Sequence, residues 1–340
     1  MIPVSSDTWQ SDTLHEAPWQ TLLREVITDV DELCDRLAIP ANRRQTILEA
    51  CHAFPLRVPL PYLQRMEIGN PDDPLLLQVL PQVREQVSAP GFVPDPLQER
   101  HHNPVSGLVH KYGSRVLLIT TQLCAIHCRY CFRREFPYQQ NRNNRLAWQS
   151  ALDYIAAHPE LNEVILSGGD PLSLPDRQLA WLCQQIEQIP HIRRLRLHTR
   201  LPIVIPQRVT DSLLGWLTTT RLQTVMVLHC NHPQELDDTV LLALHQLTNA
   251  RITLLNQSVL LAGVNDSTDV LVALSERLFS ARVLPYYLHL LDRVCGSQHF
   301  DVPETRARAL HLTLQAQLPG FLVPALVREE PGKPNKTRLA

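Results

Sequence analysis

Apolar side chains recur at helical spacing from 16 to 37, at Leu22, Leu23, Val26, Ile27, Val30, Leu33 and Leu37, and a second helix is predicted over 42–54. Prolines at 55, 59, 61, 71, 74, 81, 90, 94 and 96 then cut the chain into short pieces. From about residue 115 the pattern changes to short aliphatic and β-branched runs alternating with amphipathic stretches. Strands are predicted at 116–120, 164–166, 195–198, 224–228, 252–255 and 284–290. Each is followed by a predicted helix, at 146–157, 176–189, 211–217, 234–247, 269–279 and 304–318. Six strand–helix units in succession specify a parallel sheet with right-handed crossovers. An open doubly wound sheet and a partial barrel both fit this pattern. In either, ligands gather where strands end. Polar residues collect at those ends: 124–131, Ser167 to Asp170, His198-Thr199-Arg200, 229–232, Asn256-Gln257 and Asp292. One shared pocket is expected.

The 340 residues, 44% hydrophobic and 19% charged, suffice to bury a substantial core. No apolar run approaches the ~20 residues of a membrane-spanning helix. With 32 basic and 34 acidic residues, the net charge of -2 gives no field for bulk nucleic-acid or anionic-membrane binding. Neither is an expected partner. The start, Met1-Ile2-Pro3-Val4-Ser5-Ser6-Asp7, lacks the basic and apolar stretches of a signal peptide, so the cytoplasm is the expected compartment. Glycine is scarce, 11 against 27 prolines, reversing the usual order of about 7% to 5%. That makes the adjacent pair Gly168-Gly169 stand out.

Of eight cysteines, Cys34 and Cys183 lie in helical apolar patterns that suit buried, inert thiols. Three others crowd into Cys124-Ala125-Ile126-His127-Cys128-Arg129-Tyr130-Cys131. A disulfide framework does not suit a long chain without an export signal, so the crowding points to metal. Structural zinc needs four ligands, with His127 or Cys230 as the fourth. A 4Fe-4S cluster held by three thiolates, with one iron open, is the other possibility, and Tyr130 is placed to pack over it.

Cys-x3-Cys-x2-Cys on the first loop of a strand–helix series resembles the radical S-adenosylmethionine enzymes, which favours the cluster over zinc. Ser167-Gly168-Gly169-Asp170-Pro171 resembles that family's loop for the S-adenosylmethionine amino group, where glycine lets the backbone approach a ligand closely. A closer resemblance follows from His110-Lys111-Tyr112 through Arg115, Cys128-Arg129-Tyr130-Cys131-Phe132-Arg133-Arg134, 201–208, His229-Cys230-Asn231-His232-Pro233, Asn256-Gln257-Ser258-Val259-Leu260 and Pro285-Tyr286-Tyr287-Leu288-His289. From about residue 55 to the C-terminus, the chain resembles the lysine 2,3-aminomutase family. The resemblance implies an α/β fold, a partial (β/α)6 barrel over 105–320. A helical N-terminal region would occupy 1–104, and a short segment over 321–340 would carry the cofactor lysine.

It also implies three cofactors: a 4Fe-4S cluster on Cys124, Cys128 and Cys131, S-adenosylmethionine and pyridoxal phosphate. Ser167, Gly168, Gly169 and Asp170 would surround S-adenosylmethionine, with His229 and Gln257 in the cofactor surroundings. Arg115, Tyr112 and Lys111 match positions at pyridoxal phosphate, Lys111 standing where better-known relatives carry arginine. Arg133 matches the arginine that grips the substrate α-carboxylate, a task suited to a bidentate fork. Lys336, in an Asn-Lys-Thr close, is the expected pyridoxal phosphate lysine, with Lys333 the alternative. Relatives acting on free lysine hold its ε-ammonium with two aspartates. Asp292 matches one, and the other is expected after Phe321-Leu322-Val323, where Pro324 stands. That leaves Glu329 or Glu330 to replace it.

The tail, the helical N-terminal region and the Asn-Lys-Thr close resemble the bacterial elongation factor P β-lysylation subfamily. Its reaction moves the amino group of (S)-α-lysine from C2 to C3, giving (R)-β-lysine, which a separate ligase attaches to elongation factor P. An electron donor for the cluster is a further implied partner. Competing readings are an aminomutase of free lysine catabolism or for glutamate, whose side chain would meet a like charge at Asp292, and a zinc-stabilised binding protein.

Overall fold

The computed structural model describes residues 18–40, 44, 47, 54–136 and 145–340. Nine strands form one sheet in strict chain order: β1 (Leu108–Tyr112), β2 (Arg115–Thr121), β3 (Glu163–Gly168), β4 (Arg194–Thr199), β5 (Gln223–Leu228), β6 (Thr253–Val259), β7 (Leu284–His289), β8 (Ala325–Arg328) and β9 (Thr337–Arg338). Neighbours from β2 to β8 run parallel, while β1–β2 and β8–β9 are antiparallel hairpins. The six strand–helix units are β2 to β7, followed by helices Arg145–Ala156, Asp176–Glu187, Asp211–Thr219, Asp238–Asn249, Thr268–Ser280 and Glu304–Gln317. Thr210, Asp237 and Ser267 cap three of these helices through side-chain oxygens on the third backbone N–H.

The alternation within each strand decides what the two faces do. Leu195, Leu197 and Thr199 of β4 and Leu254, Asn256 and Ser258 of β6 are buried on the helix-covered face. Leucines from the crossover helices, among them Leu179, Leu182, Leu213 and Leu244, join the same core, each contributing about 1.5–3 kcal/mol through burial. The opposite face carries Arg196, His198, Leu255, Gln257, Tyr287 and His289, all half-buried. At the sheet's two edges, Tyr112 of β1 donates to Glu329, just past β8, at 2.5 Å, and Lys111 lies 3.8 Å from the same carboxylate. Edges that touch mean the sheet curls round. It is a partial barrel with a polar concave interior, not an open doubly wound sheet.

Several boundaries differ from the sequence reading. The helix expected over 16–37 is two, Pro18–Arg24 and Val30–Arg36. The β-branched run Val26-Ile27-Thr28 separates them, Ile27 exchanges backbone hydrogen bonds with Val58 at 2.8 and 2.9 Å, and Asp29 caps the second helix. The helix expected over 42–54 lies mostly outside the described residues. The helix expected from 234 begins at Asp238, after a 3-10 turn over Pro233–Glu235. Strand β6 runs to Val259, so Asn256 and Gln257 lie inside it, not beyond its end. The C-terminal segment joins the barrel's own sheet through β8 and β9. No helix among the described residues is long and apolar enough to cross a membrane.

Candidate active site

The loop leaving β2 carries the three cysteines and is held by the N-terminal region. Arg57 Nε donates to the Cys124 carbonyl at 2.7 Å, and His127 donates from Nδ1 to the Pro55 carbonyl at 2.8 Å. Arg129, fully buried, forks onto Glu85 at 2.9 and 2.6 Å. Burial, and then the neighbouring Cys131, pushes the Cys124 thiol well above its ordinary value. Burial and then Cys128 push Cys131 up to about 11. Thiols crowded in this way keep their protons until a cation joins them, and bound iron is such a cation. The donor set therefore fits a cluster.

The glycine pair has a role within the protein itself, where two backbone segments meet. A Cβ on Gly169 would lie 2.3 Å from the Leu123 carbonyl oxygen, and one on Gly168 2.6 Å from that of Thr121. Gly168 also has φ +124°. The pair lets the β3 loop seat against the backbone of the cysteine loop, with Gly169 N–H on Thr121 O and Asp170 N–H on Leu123 O, both at 2.7 Å. A Gly169→Ala variant is expected to lose about 1–3 kcal/mol of stability or more, because the clash is with backbone. Its denaturant midpoint and its iron content after reconstitution check this.

Asp170 likewise turns inward. Its Oδ1 accepts from Leu172 N–H at 3.0 Å and the Thr199 hydroxyl at 2.6 Å, and its Oδ2 from Arg200 N–H at 2.7 Å and Leu201 N–H at 3.0 Å. The carboxylate ties the β3 loop to the end of β4. Ser167 Oγ faces Arg133 Nη1 at 3.0 Å. Beneath the cysteines, Tyr130 Oη lies 2.8 Å from His229 Nε2, and His229 Nδ1 donates to the Gln257 carbonyl at 3.0 Å. The second bond fixes the tautomer, so Nε2 accepts from Tyr130. Burial, and then Arg200, lowers His229 to about 4, so the ring is neutral. The Gln257 side chain faces the concave interior, half-buried.

The second half of the site lies at the barrel seam. Lys336 Nζ is 2.5 Å from Glu329 Oε2, whose other oxygen takes the Tyr112 bond. Burial raises Glu329, but Lys336, Tyr112 and Lys111 together hold it below the usual carboxylate range. Asp292 shares this neighbourhood, and burial pushes it up to about 7 against the pull of Lys336. Lys111 sits among the carboxylates Glu329, Glu99 and Asp292, and burial lowers it. Arg115 lies over the Tyr112 ring at 4.2 Å. Burial also lowers His198 strongly and His289 to about 3, and His198 Nε2 has no hydrogen-bond partner among the described residues. A lysine amine, the Arg115 and Lys111 cations and an unmet histidine nitrogen fit pyridoxal phosphate. Lys333, by contrast, is exposed.

Arg133 joins the two halves. Its expected target was a substrate carboxylate, yet its fork engages Glu99, Nε to Oε2 at 2.8 Å and Nη2 to Oε1 at 2.9 Å. Glu99 also lies near Lys111. Glu99 has no signal in the sequence, being one acid in a proline-broken region. Arg200, which contacts Cys128, was visible only as a polar residue at a strand end. Of the two candidate replacements in the tail, Glu329 enters the site, while Glu330 accepts from the Thr337 hydroxyl.

The Radical SAM superfamily model matches residues 118–212, the span from β2 past β4. An L-lysine 2,3-aminomutase of Haemophilus influenzae is 51% identical over 325 residues, 96% of each chain. That of Escherichia coli K12 is 52% identical over 322 residues, 94% of each chain. The chain belongs to the lysine 2,3-aminomutase family. It is thus an enzyme of the isomerase class, and the family's radical S-adenosylmethionine chemistry implies the 4Fe-4S cluster that the cysteine loop fits. A more distant member, the L-lysine 2,3-aminomutase of Clostridium subterminale, is 33% identical over 94% of this chain and 77% of its own.

Proposed function

We propose that this chain is a pyridoxal phosphate-dependent 2,3-aminomutase that converts (S)-α-lysine to (R)-β-lysine for attachment to elongation factor P. The observation that carries the reading is the seam, where Asp292 and Glu329 flank Lys336. Two carboxylates around one ammonium make a site for a lysine side chain and repel an acidic one. That argues against glutamate as substrate.

When bound, the cluster and S-adenosylmethionine supply radical chemistry, and pyridoxal phosphate supplies the carbonyl that carries the substrate amine. The chain's residues bind and orient. Lys336 is the amine assigned to pyridoxal phosphate, with Lys111, which shares Glu329 with it, and Arg115, over the Tyr112 ring, the cations assigned to its phosphate. With Lys336 holding pyridoxal phosphate, Glu329 and Asp292 would be the carboxylates free to take the substrate ε-ammonium. Glu99 orients the Arg133 guanidinium beside Ser167 and Gly168, where we assign it the substrate α-carboxylate. His198, His229 and His289 stay neutral, so none competes with lysine for the carboxylates. The concave interior keeps water from the reacting carbon.

Because Asp292 ionises near pH 7, kcat/KM for lysine is expected to rise with pH up to about 7 and then level off. Asp292→Asn should give a lower, flat profile over that range. Anaerobically reconstituted protein with full iron and sulfide that turned over no lysine at any pH would overturn the reading.

A further inference from the structure

We propose that Arg200 raises the reduction potential of the cluster by donating to the Cys128 sulfur from a seat that the N-terminal region helps to fix. The inference rests on the assignment of Cys124, Cys128 and Cys131 to an iron–sulfur cluster. Arg200 follows β4 and is 5% exposed, with Nη1 2.8 Å from Cys128 Sγ. The same Nη1 lies 2.8 Å from Tyr130 Oη. Nη2 is held by Gln78 Oε1 at 2.7 Å, Glu235 Oε2 at 2.9 Å and Tyr62 Oη at 3.2 Å. Its backbone N–H is tied to Asp170. Four side chains from the N-terminal region, the cysteine loop and the loop after β5 thus aim one buried guanidinium at one metal-binding sulfur.

The geometry separates this role from simple neutralisation of Glu235. Nη2 alone meets that carboxylate, which also accepts from Asn231 N–H at 2.9 Å and His232 N–H at 3.1 Å. Nη1 is turned away from Glu235 towards sulfur. Reduction adds negative charge to a cluster and its thiolates. A fixed N–H donor carrying a permanent positive charge therefore stabilises the reduced form more than the oxidised one. Hydrogen bonds to cluster sulfurs are among the recognised determinants of potential. Burial strengthens the effect, since neither charge is screened by water. Tyr62 and Gln78 give the N-terminal region a part in this: they hold the fork in place and keep it dry.

The test is a redox titration of the reconstituted protein followed by electron paramagnetic resonance, on samples matched for iron and sulfide. Arg200→Gln should lower the reduced-to-oxidised ratio at a fixed potential about tenfold, a shift of ~59 mV to more negative values for a one-electron couple. Glu235→Gln, which leaves the guanidinium without its counter-charge, should shift the ratio the opposite way. Arg200→Lys keeps the charge and loses the fork, so it should move the potential in the direction of Arg200→Gln by a smaller amount. The lysine variant and Glu235→Gln decide the matter if the glutamine variant does not fold. Ratios within twofold of wild type, or shifts of the same sign for Arg200 and Glu235 variants, overturn the proposal and leave the cluster assignment standing. Wild-type protein that takes up no iron and sulfide overturns both.

Discussion

Lys336→Ala is expected to lose the visible absorption of pyridoxal phosphate tied to the protein and to reduce lysine turnover by about three orders of magnitude, ~4 kcal/mol of barrier. Strands β8 and β9 pair Val327 with Arg338 and Arg328 with Thr337, and one further step of that register sets Glu329 opposite Lys336. The turn between them includes Gly332 at φ +78°, a conformation glycine adopts without strain. Lys336 is thereby delivered to the barrel interior beside His198, His289 and Asp292. Lys333 stands exposed in the same turn. Lys333→Ala should keep both colour and activity within about twofold, as surface substitutions usually do. Absorption spectra and turnover of the two variants give the comparison; retained colour in Lys336→Ala would mean that another amine carries the cofactor.

Glu329→Gln should lower kcat/KM for lysine by roughly 30- to 150-fold, about 2–3 kcal/mol, the range seen when one partner of a buried charge pair is removed. The amide keeps the size and can still accept from Tyr112, so the loss is mainly of charge. Norleucine, which lacks the ε-ammonium, separates two causes. If Glu329 binds substrate, norleucine should be turned over by the variant as poorly as by wild type, and the preference for lysine should shrink. An equal fractional loss with both compounds would show instead that Glu329 acts through Lys336.

How much of this was written in the sequence depends on the range of the interaction. The six strand–helix units were legible because the period of apolar positions switches locally between strand and helix. Strands β8 and β9, four and two residues long, carry too little alternation to be seen, and β9 exists only because β8 pairs with it. The cysteine spacing announced its chemistry, and the glycine pair marked the adjoining loop. The reason for the pair was hidden, because the Leu123 carbonyl that excludes a Cβ belongs to another segment. Asp170 shows the same limit: its bracing role depends on Thr199, Arg200 and Leu201 at the end of β4, about 30 residues on. Glu329 could be named as a replacement acid, but its role needs the barrel to close so that Tyr112 and Lys111 reach it. Glu99 had no local signature, and Arg200 showed only as a polar residue at a strand end, since their partners Arg133 and Cys128 lie 34 and 72 residues away.

The most direct test of the account is chiral analysis of the product formed from (S)-lysine by anaerobically reconstituted protein carrying iron, sulfide and pyridoxal phosphate, with S-adenosylmethionine and a reductant. The expected product is (R)-β-lysine, formed without net consumption of S-adenosylmethionine. Recovery of unchanged lysine, or turnover of glutamate in its place, would contradict the assignment of Asp292, Glu329 and Lys336 to a lysine site.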